Sequence, residues 1–380
     1  MTPETLARLT KLRHELHQTP ELSGQERETA ARMAEQLQEF GADQVLTGLG
    51  GHGVAAVYDS GQAGPTVAVR CELDGLPIQE ITDVPYVSRV TGHGHLCGHD
   101  GHMAMVLGVA EELGRNRTLK GRVVLIFQSA EETGQGATAF RADPRFEQIA
   151  PDYVFSLHNL PGLELGTVEV CEAAANCASR GMRVILTGRT SHAAAPEDGV
   201  SPAMALSTLI PQLAQLGRGG DLDAEFALTT VTHANLGERT FGVTPGRAEL
   251  WVTLRTVSDA CMQRLILAAE ALVMQAAKAT GLTAEITYDD VFEACVNHGE
   301  AVETVATTCA QRGVSCTLTQ YPQKFSEDFG QFAKGAKTAM FWLGAGRDQP
   351  QLHNPDYDFP DALIPVGSGI FLTAIRQVLG

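Results

Sequence analysis

The chain has 380 residues, 44% of them hydrophobic and 19% charged, proportions that argue against disorder and allow a sizeable core. Its length exceeds what one hydrophobic core usually holds, so two domains are expected. A formal net charge of -17 and a pI near 5.1 would repel phosphate backbones and anionic bilayers, which argues against nucleic-acid and membrane partners and for a small-molecule substrate.

The first residues, MTPETLARLTKLRHELH, contain no apolar stretch of signal-peptide length, and no run is read as long enough to span a membrane, so a cytoplasmic location is expected. Ser23 and Glu26 form a capping-box pattern. Ala30, Met33, Ala34, Leu37 and Phe40 then follow helical spacing up to Gly41, a natural helix-terminating residue. Short apolar runs follow at Val54 to Tyr58, Thr66 to Arg70, Val123 to Phe127 and Tyr153 to Leu157, separated by helical or turn-rich stretches such as Gly101 to Leu113. This alternation predicts a mostly parallel sheet with helices on its faces.

From about Cys177 to Asp290 the order changes. It becomes a strand (Met182 to Thr187), a helix (Pro202 to Leu216), two strands (Phe226 to His233, Ala248 to Arg255), a helix (Asp259 to Ala279) and a strand (Thr283 to Tyr288). That is a βαββαβ unit, the ferredoxin-like arrangement, and it reads as a domain over 177–290 inserted into an α/β domain formed by 1–176 and 291–380. The α/β pattern resumes with a helix at Val302 to Arg312, a strand at Thr338 to Leu343 and a terminal helix from about Pro360 to Leu379. No internal repeat or low-complexity segment is seen.

Eight cysteines in a chain this long, with no secretion signal, read as reduced thiols. Cys171, Cys177, Cys261, Cys295, Cys309 and Cys316 have no neighbour at ligand spacing and are expected to be small buried hydrophobes. Cys97 differs. The segment GHGHLCGHDGH packs His93, His95, Cys97, His99, Asp100 and His102 together, and imidazole and thiolate both bind borderline divalent ions. Taken alone, the segment also reads as a polar loop with capping side chains.

Glu131 and Glu132 directly follow a predicted strand. Adjacent acids on a surface are usually solvated charge, but in open α/β sheets ligands bind beyond the carboxyl ends of the strands. His158 follows another strand, and His353 lies in QLHNPDYDF before the terminal helix. Each histidine alone reads as structural or solvent-facing.

The segments LRHELHQTPELSGQE, VRCELDGLPIQE, HLCGHDGHMAM, IFQSAEETGQGA, SLHNLPG, TGRTSHAAAPEDGVSP, LRTVSD, FSEDFGQFA and LHNPDYDF occur in one order from about Leu12 to Phe359. That order resembles the M20 metallopeptidase family, and within it the D subfamily of amidohydrolases, which includes hippurate hydrolases, N-acetyl-diaminopimelate deacetylases and auxin-conjugate hydrolases. The resemblance implies that Cys97, His99, Glu132, His158 and His353 ligate two divalent metal ions (Zn, Mn, Ni or Co), with the Cys97 thiolate shared. It implies that Glu131 is the catalytic acid/base, because a carboxylate held on a metal cannot shuttle protons while its neighbour can. His192, in the inserted domain, is implied to steady the oxyanion in the active site of a neighbouring subunit, so the inserted domain is expected to serve as lid and homodimer interface. Arg255 and Gly242 are further candidates for substrate contact. An arginine at the end of a strand serves an ion pair equally well. Asp74 and Asp100 are candidate acceptors behind the ligand histidines, though Asp before a turn is commonly a cap. Glu327 and Asp328 are expected to help shape the pocket.

Three stretches depart from the subfamily pattern. Where RADMDALP is usual, Arg70–Pro77 reads RCELDGLP, with Glu72 one methylene longer. The NVIP turn is replaced by Phe241-Gly242-Val243-Thr244-Pro245, and the glycine pair before His192 by Thr190-Ser191. These changes touch the substrate side rather than the ligand set. The expected activity is hydrolysis of the amide bond of a small N-acyl amino acid. A dipeptidase and a non-catalytic binding protein on the same fold are the competing readings. A structural zinc site fits poorly, because such sites are closed by four Cys or His ligands.

Overall fold

The computed structural model describes residues 1–117 and 120–380. The chain divides into two compact units, one formed by Met1–Ala175, Cys295–Gln320 and Glu327–Gly380, the other by Asn176–Ala294 and Tyr321–Ser326.

Strands β1 (Gln44–Leu49), β2 (Gly53–Asp59), β3 (Thr66–Glu72), β4 (Arg122–Gln128), β5 (Tyr153–Pro161) and β6 (Val168–Cys171) belong to the first unit. With Cys316–Thr319 and Lys337–Gly346 they make an eight-stranded sheet in the order β1, β2, β4, β3, β5, Lys337–Gly346, β6, Cys316–Thr319. Strands β4, β3, β5 and Lys337–Gly346 run parallel, and antiparallel pairs occur toward both edges. Apolar runs such as Val123–Phe127 have no polar face to offer water, which suits central parallel strands covered on both sides. Every residue of β3 is buried, so Arg70 and Glu72 are carried into the interior and must find partners there.

Helices α1 (Pro3–His17), α2 (Arg27–Glu39), α3 (His99–Arg115) and α4 (Gly136–Ala142) belong to this unit, as do Gly299–Arg312 and Leu363–Leu379. Helix α3 is buried along almost its whole length and packs on β3, α1 and Leu363–Leu379. Its first turn lies at the carboxyl end of β3, where the ring of His102 meets Glu72.

Two local expectations are corrected. The Ser23/Glu26 capping box does not form. Ser23 Oγ donates to Asp74 Oδ2 at 2.7 Å, and Glu26 Oε1 accepts from Ala130 N at 2.7 Å. The first turn of α2 is served by Glu21 instead, whose carboxylate accepts from Thr29 N and Glu28 N at 2.8 and 3.2 Å. Strand β5 runs on to Pro161, so His158 lies within the strand rather than after it. Helix α1 has a packing face that local periodicity does not reveal. Its apolar stripe of Leu9, Leu12 and Leu16 is interleaved with buried Arg13 and His17.

The second unit has a four-stranded antiparallel sheet in the order Ala227–Leu236, Arg247–Thr256, Ala178–Thr187, Thr283–Phe292. Helices Ala203–Leu216 and Asp259–Thr280 pack on it, which gives the chain order βαββαβ. Strand Arg247–Thr256 alternates buried and less buried residues along its length, the period of a half-buried strand. Helix Asp259–Thr280 corrects a further expectation. At 22 residues with mean hydropathy 1.2 it is long and apolar enough to cross a bilayer by length and composition. Here Met262, Leu265, Ile266, Ala269 and Val273 join the core of the unit instead.

Candidate metal centre

The residues with metal-binding chemistry lie at or beyond the carboxyl ends of the parallel strands, where α/β sheets place their ligands. The turn after β3 supplies Asp74, the turn after β4 supplies Glu131 and Glu132, β5 carries His158, and the loop after Lys337–Gly346 carries His353. Cys97 and His99 flank Gly98 at the start of α3. Gly98 has φ +93°, and a Cβ there would stand 2.5 Å from the Asn159 side chain, so no larger residue fits between the two candidates. Ala130 and His353 also adopt left-handed backbone, with φ of +53° and +67°. For residues other than glycine this is strained, and such strain concentrates at functional sites.

The side chains converge in two groups that share one thiol. Cys97, His99 and His158 form one, and Cys97, Glu132 and His353 the other, with the donor atoms of each group within 4.8 Å of one another. Cys97 Sγ lies 3.3 Å from His158 Nε2. Glu132 Oε1 lies 3.9 Å from His99 Nε2, and Oε2 3.5 Å from His353 Nε2. The two more buried rings are oriented by their other nitrogens: His99 Nδ1 donates to the Asp74 carbonyl at 2.8 Å, and His158 Nδ1 to the Asn159 carbonyl at 2.9 Å. Each Nε2 is thereby left as a lone-pair donor toward the centre, the usual arrangement behind a metal-binding histidine.

The electrostatics call for cations. His99 Nε2 and Glu132 Oε1 are buried and have no hydrogen-bond partner among the described residues, a cost that a metal would remove. Burial, then the carboxylates of Glu132 and Glu131, push the Cys97 thiol well above its usual range, so a thiolate forms there only beside a positive charge. With no cation in place, burial would lower His99, but Asp74, Glu72 and Glu132 outweigh it and raise it to about 10; these carboxylates draw a positive charge to the ring, which a metal ion on Nε2 would supply in place of a second ring proton. Thiolate, imidazole and carboxylate held this close fit two metal ions.

Glu131 reaches both ways: it lies within 4.8 Å of His99 and Glu132 donor atoms, and also within 4.8 Å of a second set of acids. It is buried and grouped with Glu327 and Asp328, and burial, then Glu327, Glu132 and Asp328, raise its pKa well above the carboxylate range. Behind this cluster lies Arg70, wholly buried. It donates to Glu327 at 2.9 Å, to Asp328 at 2.8 Å, to Gln128 at 2.9 Å and to Glu72. The longer Glu72 is thus accommodated: Oε1 takes Arg70, and Oε2 accepts from His102 Nδ1 at 2.6 Å. His102 Nε2 in turn lies 2.6 Å from Asn159 Oδ1.

Of the dense histidine segment, His93 and His95 join neither group among the described residues. Asp74 supports His99 through its carbonyl, and its carboxylate accepts from Glu132 N at 3.0 Å. Asp100 faces away, accepting from Arg13 Nε and bonding His17 Nδ1, each at 2.8 Å. Arg70, Gln128 and Asn159 carry no local sign of the site in the sequence beyond the Arg-Cys-Glu triplet inside an otherwise apolar run, and His102, part of the dense histidine segment, bonds Glu72 and Asn159 and joins neither of the two groups that share Cys97.

His192, Arg255 and Gly242 lie in the second unit. His192 is exposed and pairs with Val243 in a short two-stranded ladder. Ala194 N donates to its Nδ1 at 3.0 Å, which puts the ring proton on Nε2. Gly242 O accepts from Ala193 N at 3.1 Å, and a Cβ at Gly242 would meet open space. Arg255 Nη1 donates to the Lys324 carbonyl at 2.8 Å and to Ser326 Oγ at 3.0 Å.

An α/β sheet with a cluster of sulfur, nitrogen and oxygen donors at its carboxyl edge defines a candidate metal-binding α/β protein, and similarity to known proteins gives the family and the class of reaction. The model of peptidase family M20/M25/M40 matches residues 68–377. The chain is 31% identical over 356 residues to the hippurate hydrolase of Campylobacter jejuni, covering 93% of this chain and 92% of that one. It is 31% identical over 382 residues to an N-acetyl-L-cysteine deacetylase of Bacillus subtilis, covering 99% and 90%. The crystal structure of the YXEP protein of Bacillus subtilis, a dinuclear metal-binding peptidase of the M20 family, superposes with a TM-score of 0.84 at 27% identity, covering 100% of this chain and 99% of that one. The chain belongs to peptidase family M20/M25/M40, as a metal-dependent amidohydrolase.

Proposed function

We propose that the chain hydrolyses the amide bond of a small N-acyl amino acid, such as an N-acetyl or N-benzoyl derivative. The observation that carries this reading is the division of labour between the adjacent acids. Glu132 faces His99 and His353, while Glu131 is buried beside them with Glu327 and Asp328. In this reading Cys97, His99, Glu132, His158 and His353 would hold the two ions, Cys97 belonging to both donor groups. Mixed sulfur, nitrogen and oxygen donors suit Zn²⁺, Mn²⁺, Co²⁺ or Ni²⁺.

Two divalent cations held by these residues would supply Lewis acidity and make water acidic enough to give up a proton near neutral pH. Glu131 takes that proton as water attacks the acyl carbon and returns it to the leaving nitrogen, so the products are a carboxylate and an amine. Its raised pKa suits the returning half of the cycle, and nearby cations favour the ionised form needed for the first half. His192 donates Nε2–H to the developing oxyanion, a role supported by the tautomer that Ala194 fixes. Arg255 and Gly242 flank the substrate, and the space at Gly242 admits part of it. The second unit serves as lid and joins two copies of the chain, so that His192 of one acts on the substrate of the other. A cytoplasmic location fits reduced cysteines, and no disulfide joins any of the eight.

A substrate panel tests the reading. N-acetyl, N-benzoyl and indole-acyl amino acids should turn over faster than simple dipeptides, and turnover confined to dipeptides would replace it with a dipeptidase. Binding of N-acyl amino acids by metal-loaded protein with no turnover would make it a binding protein.

A further inference from the structure

One buried side chain outside both candidate metal groups fastens together two segments that carry their members. Arg13, on α1, has a fully buried side chain. Its Nε donates to Asp100 Oδ2 at 2.8 Å, its Nη2 to Asp358 Oδ1, and its Nη1 to Asp361 Oδ1 at 3.4 Å. Asp100 directly follows His99 in the first turn of α3. Asp358 and Asp361 end the loop in which His353 lies. The guanidinium fork therefore ties the start of α3 to the far end of the His353 loop.

His353 depends on that loop for its position. Its side chain is 48% exposed, and its backbone is held in the strained left-handed region, so little packing of its own keeps it in place. The loop is docked at four further points. His353 N donates to the Leu96 carbonyl at 2.9 Å, Ile81 N donates to the Pro355 carbonyl at 2.8 Å, and Asn159 Nδ2 donates to Tyr357 OH at 2.5 Å. Phe359 lies against Gly101, where a Cβ would stand 2.5 Å from the ring.

The geometry points to Arg13 as the positioning residue for the group formed by Cys97, Glu132 and His353, and not for the group formed by Cys97, His99 and His158. The inference rests on the two-ion reading above. Without the guanidinium, Asp100, Asp358 and Asp361 would lose the cation that they share, and a carboxylate as deeply buried as Asp100 tolerates the loss of a charged partner poorly. Helix α3 is buried along its length and holds its place. The partly exposed loop is what gives way, and it takes His353 with it.

The test is calorimetric titration with Zn²⁺ of the chelator-stripped full chain. Wild type should bind two ions. Arg13→Gln should keep one ion at wild-type affinity and weaken the other by about 10- to 100-fold, the usual cost of removing a residue that orients a metal ligand. Asp358→Asn, which changes a partly exposed partner, should weaken the same ion to a smaller degree, and it decides the matter if Arg13→Gln does not fold. Leu9→Ala, which removes a core contact of α1, should lower the melting temperature while leaving both affinities unchanged. Two wild-type affinities in both tether variants, or equal weakening of both ions, would overturn the role of Arg13 alone. Fewer than two ions in wild type would overturn the two-ion reading and this inference together.

Discussion

Glu131 and Glu132 are neighbours in the chain whose carboxylates face opposite demands. Glu132 Oε2 lies 3.5 Å from His353 Nε2, whereas Glu131 is buried among acids, with its pKa raised by burial and then by Glu327. If this contrast divides ligand from base, the isosteric variants separate cleanly. Glu131→Gln should lower kcat toward N-acyl amino acids by about 10²- to 10⁴-fold, the range for a lost general base, with metal content unchanged. Glu132→Gln should lower metal content first. Metal analysis beside steady-state kinetics distinguishes them, and loss of metal from Glu131→Gln would reverse the assignment.

Gly98→Ala tests the close approach between Cys97 and His99. The added methyl would collide with Asn159 in a backbone conformation that disfavours any side chain. A stability loss of about 1–3 kcal/mol is expected, together with a displaced Asn159 that releases His102 and Tyr357. An unchanged melting temperature would contradict the geometry.

His17 gives the N-terminal network a pH signature. Burial lowers its pKa, but Asp100 and Glu80 outweigh burial and Arg13 and raise it from 6.5 to about 9. His95 and Tyr86 are its remaining ring neighbours. Because the folded-state value is the higher one, the stabilisation is fully present below pH 6.5 and is lost as pH rises through about 9. It amounts to the order of 3 kcal/mol. The melting-temperature gap between wild type and His17→Gln should therefore be widest near pH 6 and shrink toward pH 9.5. A gap that stays constant over that range would show that the charge on His17 contributes nothing.

The parallel strands and the βαββαβ order were legible because apolar runs and their spacing are local properties. The turn after β4 drew notice for the same reason, since Glu131 and Glu132 stand beside a strand end. What escaped depends on partners distant in sequence. Helix α1 hid its packing face because Arg13 and His17 are buried by Asp100, Glu80 and Asp358, residues that no local pattern connects to them. Ser23 and Glu26 carry the letters of a capping box, but Asp74 and Ala130 N compete for their oxygens and win. Helix Asp259–Thr280 shows the converse. Its composition alone cannot tell a bilayer from the sheet on which it packs.

The central claim is that Cys97 stands between two cations. Anomalous diffraction at the metal edge from Zn²⁺-loaded crystals measures it directly. Two peaks per chain are expected, about 3.5–4 Å apart as in other two-metal sites, each within about 2.3 Å of Cys97 Sγ, with His99 and His158 on one side and His353 on the other. A single peak, or two peaks with Cys97 bound to neither, would contradict the account.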